Sequence, residues 1–382
     1  MKNLSYILFV FMMISCKQSF EKNQNIQGVS ENNEIMEGTY NKWENLDVYF
    51  TVFHDYFKFL KYGFGRTTDH VSIEIRYGRI SRKEGIELVK KFDGKIPRKY
   101  LKEFLMDERV IDEPLWLRTI LVKGIILNFR PKKSAKAYKK IWWDEGSPLI
   151  VLSYRLLEKV KKMTSVPISL AMRYGNPSIH SGIKELVDKG VTEILLIPLY
   201  PQHAMASTET ILVLAEKIKN EFFPQVEFTN LPAFYNHKDY VRVLSNSIQS
   251  YLKNKEWDHL LFSYHGIPER HIRKTDITKS HCKIDGSCCQ TKSPAHQFCY
   301  RHHCYETTKQ VADYLELKEG TYSSSFQSRL AGQPWLKPYT DKVVENFAQS
   351  GTKNMAIVTP AFVSDCLETL EEIGMEAKED FI

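Results

Sequence analysis

The sequence predicts an α/β protein built from two doubly wound domains with parallel sheets, and three observations carry that expectation. From about residue 165 onward, short apolar runs of strand length alternate with longer segments of helical periodicity. Two of those helical segments end in glycine just before the next strand, where a helix C-cap belongs. The β-α-β rhythm itself demands a parallel sheet covered on both faces, because a parallel neighbour is reached only through a crossover.

The predicted strands, in order, are "VPISLAMRY", "EILLIPLY", "VEFTNLPAF", "HLLFSY", "TYSSSFQS" and "MAIVTPAFV". Each is a short run of apolar and β-prone residues bounded by turn or polar residues. Between them lie predicted helices at "SIHSGIKELVDKG", "STETILVLAEKIKNEF", "KDYVRVLSNSIQSYLKN", "YETTKQVADYL" and "YTDKVVENFAQSG", with a domain boundary expected near Tyr235 to His237. Residues 40–99 do not share the rhythm. Their clearest element is a helix at "SRKEGIELVKKF", where Ser81 and Glu84 form a capping box.

The composition is that of a folded protein: 382 residues, 43% hydrophobic, 26% charged, enough for two or three domains and against wholesale disorder. The net charge of +7 is scattered except for "RPKKSAKAYKK", Arg130 to Lys140. That run reads as the solvated face of an amphipathic helix, with an anionic-membrane or nucleic-acid patch as the alternative; no nucleic-acid partner is expected. The start, "MKNLSYILFVFMMISC", has the form of a short secretory or lipoprotein signal with Cys16 as a lipidation point, too short for a membrane span, and residues 1–39 read as a leader and polar linker. Five of the seven cysteines, Cys282, Cys288, Cys289, Cys299 and Cys304, fall within one loop, 271–304. An odd total so distributed argues against a disulfide framework and for an intracellular chain, leaving export as the lesser alternative.

Open parallel sheets bind ligands beyond the carboxyl ends of their strands. The residues there are Arg173, Tyr174, Tyr200, His265, Gln327 to Arg329 and Ser364 to Glu368, a set suited to a cleft between domains. After the last strand, Glu368, Glu372 and Glu376 stand at i, i+4 and i+8 of a predicted helix, three carboxylates on one face. A solvated stripe is the ordinary meaning of that spacing; at a strand's carboxyl end it also suits a path for protons or a hard divalent cation. His265 precedes a Gly-Ile-Pro turn that fixes where its ring points. Seven of the twelve histidines lie between His259 and His303, and imidazole serves both as a near-neutral base and as an iron ligand.

The ordered motifs "YLKEFL", "MRYGNPSI", "IPLYPQHAMAST", "LPAFYNHKDY", "FSYHGIPER", "SFQSRLAGQPWLKPYTD" and "TPAFVSDCLETLEEI" closely resemble the ferrochelatase family, from about Tyr100 to Ile382. The resemblance implies the type II chelatase fold, two Rossmann-like domains, and insertion of ferrous iron into protoporphyrin IX, the last step of haem synthesis. It implies His265 and Glu368 as the catalytic pair, one taking protons and the other delivering metal in an order left open, with Glu372 as a further metal ligand. Arg173, Tyr174 and Tyr200 are implied to bind the porphyrin. "LWLRTILVKGIILNFRPKK" corresponds to an apolar lip that also gives peripheral membrane contact.

The chain departs from that family in three places. The first strand expected before "YLKEFL" is missing, and residues 40–98 resemble instead the C-terminal part of a bacterial N-acetyl sugar amidotransferase without its ATP-binding loop. The chain ends soon after the carboxylate helix. The five-cysteine loop is long, and its thiols suit an iron–sulfur cluster, which some ferrochelatases carry, or a zinc ion; reduced thiols and a loop disulfide are the alternatives. A non-catalytic, membrane-associated tetrapyrrole- or metal-binding protein arising by gene fusion is the other functional reading.

Overall fold

The computed structural model describes residues 7–11, 66–93, 106–120, 137–329 and 334–382. It divides into two compact units, Met1–Leu196 with Leu214–Phe228, and Ile197–Val213 with Thr229–Ile382. Most of the basic run and of the lip segment lies outside the described residues.

The first unit is organised by a four-stranded sheet in the order β2-β1-β3-β4. Its strands are β1 (Ile7–Phe11), β2 (Ile168–Met172), β3 (Glu193–Pro198) and β4 (Glu227–Asn230). β1 comes from the leader-like apolar run. It pairs in parallel with β2 over its whole length, from Ile7 opposite Ile168 to Phe11 opposite Met172. The inner position of a parallel sheet favours a continuous β-prone run, and Ile-Leu-Phe-Val-Phe supplies one. An inner strand thus arises from the far end of the chain, where the family resemblance leaves a strand missing.

The amidotransferase-like segment forms a helical hairpin, α1 (Arg66–Arg76) and α2 (Arg82–Phe92). Ser81 caps α2 in a reciprocal box with Glu84, as the sequence predicts. Asp93 closes the hairpin by accepting from Thr67 N at 3.0 Å and from the Thr68 hydroxyl at 2.5 Å. The helices meet at Gly85, where a Cβ would stand 2.6 Å from Val71 Cγ1, so a side chain there would force Val71 and Ile75 to shift. Further along are α3 (Leu115–Ile120), α4 (Pro148–Lys161) and α5 (Ile179–Val187). The turn after α5 uses Gly190 at φ +81, the C-terminal glycine read from the sequence.

The second unit holds a three-stranded parallel sheet, β6-β5-β7. A π-helical turn, Met205–Glu209, leads into α6 (Thr210–Phe222), which belongs to the first unit from Leu214 onward. There follow α7 (Lys238–Leu252), β5 (His259–His265), α8 (Glu269–Lys274), α9 (Tyr300–Tyr314), β6 (Tyr322–Gln327), α10 (Thr340–Gln349) and β7 (Met355–Val358). β5 is the central strand, with Leu261, Phe262 and Tyr264 wholly buried. Burial holds from His259 through Tyr264 and relaxes only at His265, so the core delivers one histidine to the strand's carboxyl end. The carboxylate segment differs from its sequence reading: Glu368–Ala377 is a π-helix, continued by α11 (Lys378–Phe381). No helix among the described residues is long and apolar enough to cross a membrane.

Candidate active site

The second unit's polar centre is built at the ends of β5 and β6. His265 and Gln327 are opposite partners in the parallel register. Gly266 N then donates to the Gln327 carbonyl at 2.7 Å, and a Cβ on Gly266 would meet that oxygen at 2.7 Å. Glycine is therefore required for the strands to stay this close past the histidine. The turn is fixed from its other side, where Leu336 N donates to the Ile267 carbonyl at 3.0 Å and Glu269 N to that of Pro334 at 3.0 Å.

These constraints define the state of the imidazole. His265 Nδ1 lies 2.6 Å from the Gly266 carbonyl. A carbonyl only accepts, so Nδ1 carries the proton and Nε2 keeps its lone pair for a proton or a metal. The Tyr300 hydroxyl donates to the His265 backbone carbonyl at 2.8 Å. Phe362 sets its ring edge-on to the imidazole, with centroids 6.2 Å apart.

Gln327 joins this strand end to the carboxylates. Its Oε1 accepts from Ser263 at 2.8 Å, and Ser263 and Ser325 both meet the Thr340 hydroxyl at 2.8 Å. That buried relay fixes the amide with its nitrogen outward, donating to the Glu368 carbonyl at 2.9 Å and towards Glu372 Oε2 at 3.4 Å. Ser328 takes a left-handed backbone, φ +63, uncommon for a residue with a Cβ, and its hydroxyl donates to the same Glu372 oxygen. Burial and the neighbouring Glu368 charge push the Glu372 carboxyl up to about 7, although Ser328 and Gln327 oppose the shift. Near neutral pH it therefore exists both with and without its proton.

Of the predicted residues, His265, Glu368 and Glu372 are brought together through Gln327. In the first unit, Arg173 is held by Asp107 at 2.9 Å and lies over the Tyr174 ring at 4.2 Å. Tyr174 is buried and Tyr200 half-buried. Glu376 lies on the same π-helix as Glu372 and is exposed. Most of the other clustered histidines have structural tasks. His303 stacks on Tyr235 at 3.7 Å, donates from Nε2 to the His296 carbonyl at 2.7 Å, and accepts from His203 N at 3.1 Å. Burial holds its imidazole down to about 3. Asp107 and Tyr300 were not marked as functional by sequence, and Gln327 and Ser328 were marked only as part of a strand end.

In the cysteine-rich loop, Asp276 accepts from Cys282 N at 2.8 Å, His281 N at 2.8 Å and both donors of Thr278. Burial works against its charge, but these bonds outweigh it and bring the carboxyl to about 2. The Arg301 guanidinium donates to Cys288 Sγ at 3.5 Å. Cys304 is wholly buried. Among the described residues no three or more His, Cys, Asp or Glu side chains are grouped to hold a metal ion. The zinc or iron–sulfur expectation for Cys282, Cys288, Cys289, Cys299 and Cys304 finds no grouped ligand set among the described residues, and Cys288 Sγ faces the Arg301 guanidinium.

Comparison with known proteins bears on the whole of this architecture. Residues 37–121 match the family described as LPS biosynthesis protein WbpG-like, C-terminal domain. Residues 95–382 match the family described as Ferrochelatase. Among curated proteins, the chain is 46% identical over 288 residues to a ferrochelatase of Opitutus terrae, covering 75% of this chain and 83% of that protein. It is 45% identical over 287 residues to one of Ectopseudomonas mendocina, covering 75% and 84%. It is 44% identical over 286 residues to one of Pseudomonas fluorescens, covering 74% and 83%. With a family match across three quarters of its length and relatives at this identity, the chain belongs to the ferrochelatase family.

Proposed function

We propose that the chain inserts ferrous iron into protoporphyrin IX to give haem, with His265 as the proton acceptor and Glu368 and Glu372 as the route of the metal. The observation that carries the reading is the fixed tautomer of His265: with Nδ1–H committed to the Gly266 carbonyl, Nε2 is the ring atom left to act. Metallation removes two pyrrole N–H protons as one doubly charged cation enters, so the product core is neutral and both protons need acceptors. His265 Nε2 takes them in turn and passes them to solvent. Glu372, poised near neutrality, exchanges its proton for a cation, and Glu368 receives the ion one π-helical turn earlier on the same helix.

Arg173, Tyr174 and Tyr200 bind the porphyrin in this reading. The Asp107 carboxylate and the Tyr174 ring hold the Arg173 guanidinium as a ready anchor for a propionate. Leu115 and Trp116 of α3, both about two-thirds exposed, are apolar contacts for a cytoplasmic enzyme that touches the membrane surface. The cysteine-rich loop has no step in the insertion, and iron and zinc analysis of the purified chain tests separately for a cluster or zinc on it. Steady-state kinetics of His265→Ala and Glu368→Gln test the role assignment. A metal route through Glu368 raises KM for the cation, a proton acceptor at His265 lowers kcat, and the reverse pattern exchanges the two roles.

A further inference from the structure

Residues two apart along a strand share a face of the sheet, so Ser263 lies one step behind His265 on β5 and Ser325 one step behind Gln327 on β6. The parallel register sets Ser263 opposite Ser325 and His265 opposite Gln327. Both serines are wholly buried. Thr340, the first residue of α10, is buried too, and its hydroxyl stands 2.8 Å from each of theirs.

The direction of every bond in this chain follows from one fixed end. The Glu368 carbonyl only accepts, so the Gln327 amide turns its nitrogen to it and its Oε1 inward. Oε1 also only accepts, so Ser263 spends its single proton there. Ser263 therefore accepts from Thr340, and Thr340 from Ser325. Donation runs one way, from Ser325 through Thr340 and Ser263 to Gln327, whose amide carries it on to Glu368 and Glu372. The three buried hydroxyls are closed to porphyrin and to cations. Their line nevertheless ends on the first residue of the π-helix that bears both carboxylates.

We infer that Ser263 and Thr340 are positioning residues for metal delivery: acting through Gln327, they set where the Glu368–Ala377 helix presents Glu368 and Glu372 to the incoming cation. Without the Ser263 hydroxyl, Oε1 is buried with no donor and the amide keeps only its outer bonds. The carboxylate helix then loses its tie to the core of the sheet. Without the Thr340 hydroxyl, Ser263 still reaches Oε1 but is no longer held in line, so the effect has the same sign and is smaller.

This role in metal delivery rests on the porphyrin-metallation reading, and the test separates the two. Insertion by the full chain is measured at varied ferrous iron with porphyrin saturating, and at varied porphyrin with iron saturating. Ser263→Ala is expected to raise KM for iron about five-fold, the weight of one hydrogen bond of ordinary strength, with kcat and KM for porphyrin close to the parent's. Thr340→Val raises KM for iron about two-fold, the lower end of that range, and Thr340→Ser restores it. Gln327→Met raises it at least as far as Ser263→Ala, and the double variant goes no further, because Ser263 acts through the amide. An unchanged KM for iron in folded Ser263→Ala, equal rises in both KM values, additive effects in the double variant, or Thr340→Ser as impaired as Thr340→Val overturns the inference. Should Ser263→Ala fail to fold, the Thr340 pair decides alone. A parent chain inactive on porphyrin refutes the metallation reading. The tie is then read from hydrogen exchange of the Glu368–Ala377 amides, which must quicken about five-fold in Ser263→Ala or about two-fold in Thr340→Val; parent-like exchange overturns the positioning role as well.

Discussion

Replacing Glu372 by glutamine should stabilise the protein above neutral pH and leave its stability near pH 4.5 unchanged. The carboxyl is held up to about 7 against an ordinary value of 4.5, by burial first and by Glu368 second. Between those values the folded chain keeps a proton that the unfolded chain has released. Folding stability therefore falls as pH rises through that window, and the penalty is complete above pH 7. A tenfold displacement of a proton equilibrium is about 1.4 kcal/mol, so the ceiling is about 3 kcal/mol. Glu372 is only half-buried, and water screening reduces the working figure to about 1–2 kcal/mol. Glutamine keeps an oxygen to accept from Ser328 and carries no charge to desolvate, so the gain is not offset by a lost cap. Thermal unfolding at pH 8 should rise by about 3–6 °C, converging with the parent as pH approaches 4.5, while metal insertion falls. Equal gains at pH 5 and pH 8, or a loss at pH 8, would refute the claim that burial and the Glu368 charge hold a proton on the Glu372 carboxyl.

Further substitutions probe the scaffold and the base. His265→Ala should lower metal insertion at least a hundredfold, the usual worth of a positioned proton acceptor, with an unchanged circular dichroism spectrum; retained turnover would remove His265 from the reaction. Gly266→Ala places a Cβ 2.7 Å from the Gln327 carbonyl, so β5 and β6 must part; a loss of about 2 kcal/mol in urea unfolding is expected, and parent stability would contradict the close approach. Phe9→Pro removes a backbone donor from the inner strand β1 and should cost most of the soluble yield, whereas a parent-like yield would show that the pairing with β2 is dispensable. Asp276→Ala releases the donors of Thr278, His281 and Cys282 and should make the loop the first site of limited proteolysis.

Much of the second unit is legible in sequence because β5 and β6 announce themselves as short apolar or β-prone runs ending on polar residues. His265 and Glu368 stand out for the same reason, at the ends of elements whose period is clear. Four features are not legible, each for a physical cause. The pairing of Ile7–Phe11 with β2 joins segments some 160 residues apart, and a five-residue apolar run carries no mark separating an inner strand from the core of a leader. The π-helix escapes because carboxylates four apart share a face of an α-helix equally well. Tyr300 escapes because helical periodicity is plain only from Tyr305, while α9 begins at Tyr300 and turns that residue's hydroxyl to His265. Likewise Gln327 is visible as a strand end, but its tie to Glu368 and Glu372 depends on the Ser263–Thr340 relay, which no local pattern encodes.

The most direct test of the central claim is the absorbance of protoporphyrin IX mixed anaerobically with ferrous iron and the purified chain. The account predicts conversion of the free-base bands to those of haem over many turnovers per chain, lost in His265→Ala. Stoichiometric porphyrin binding without metallation, in a chain whose fold is intact, would contradict it.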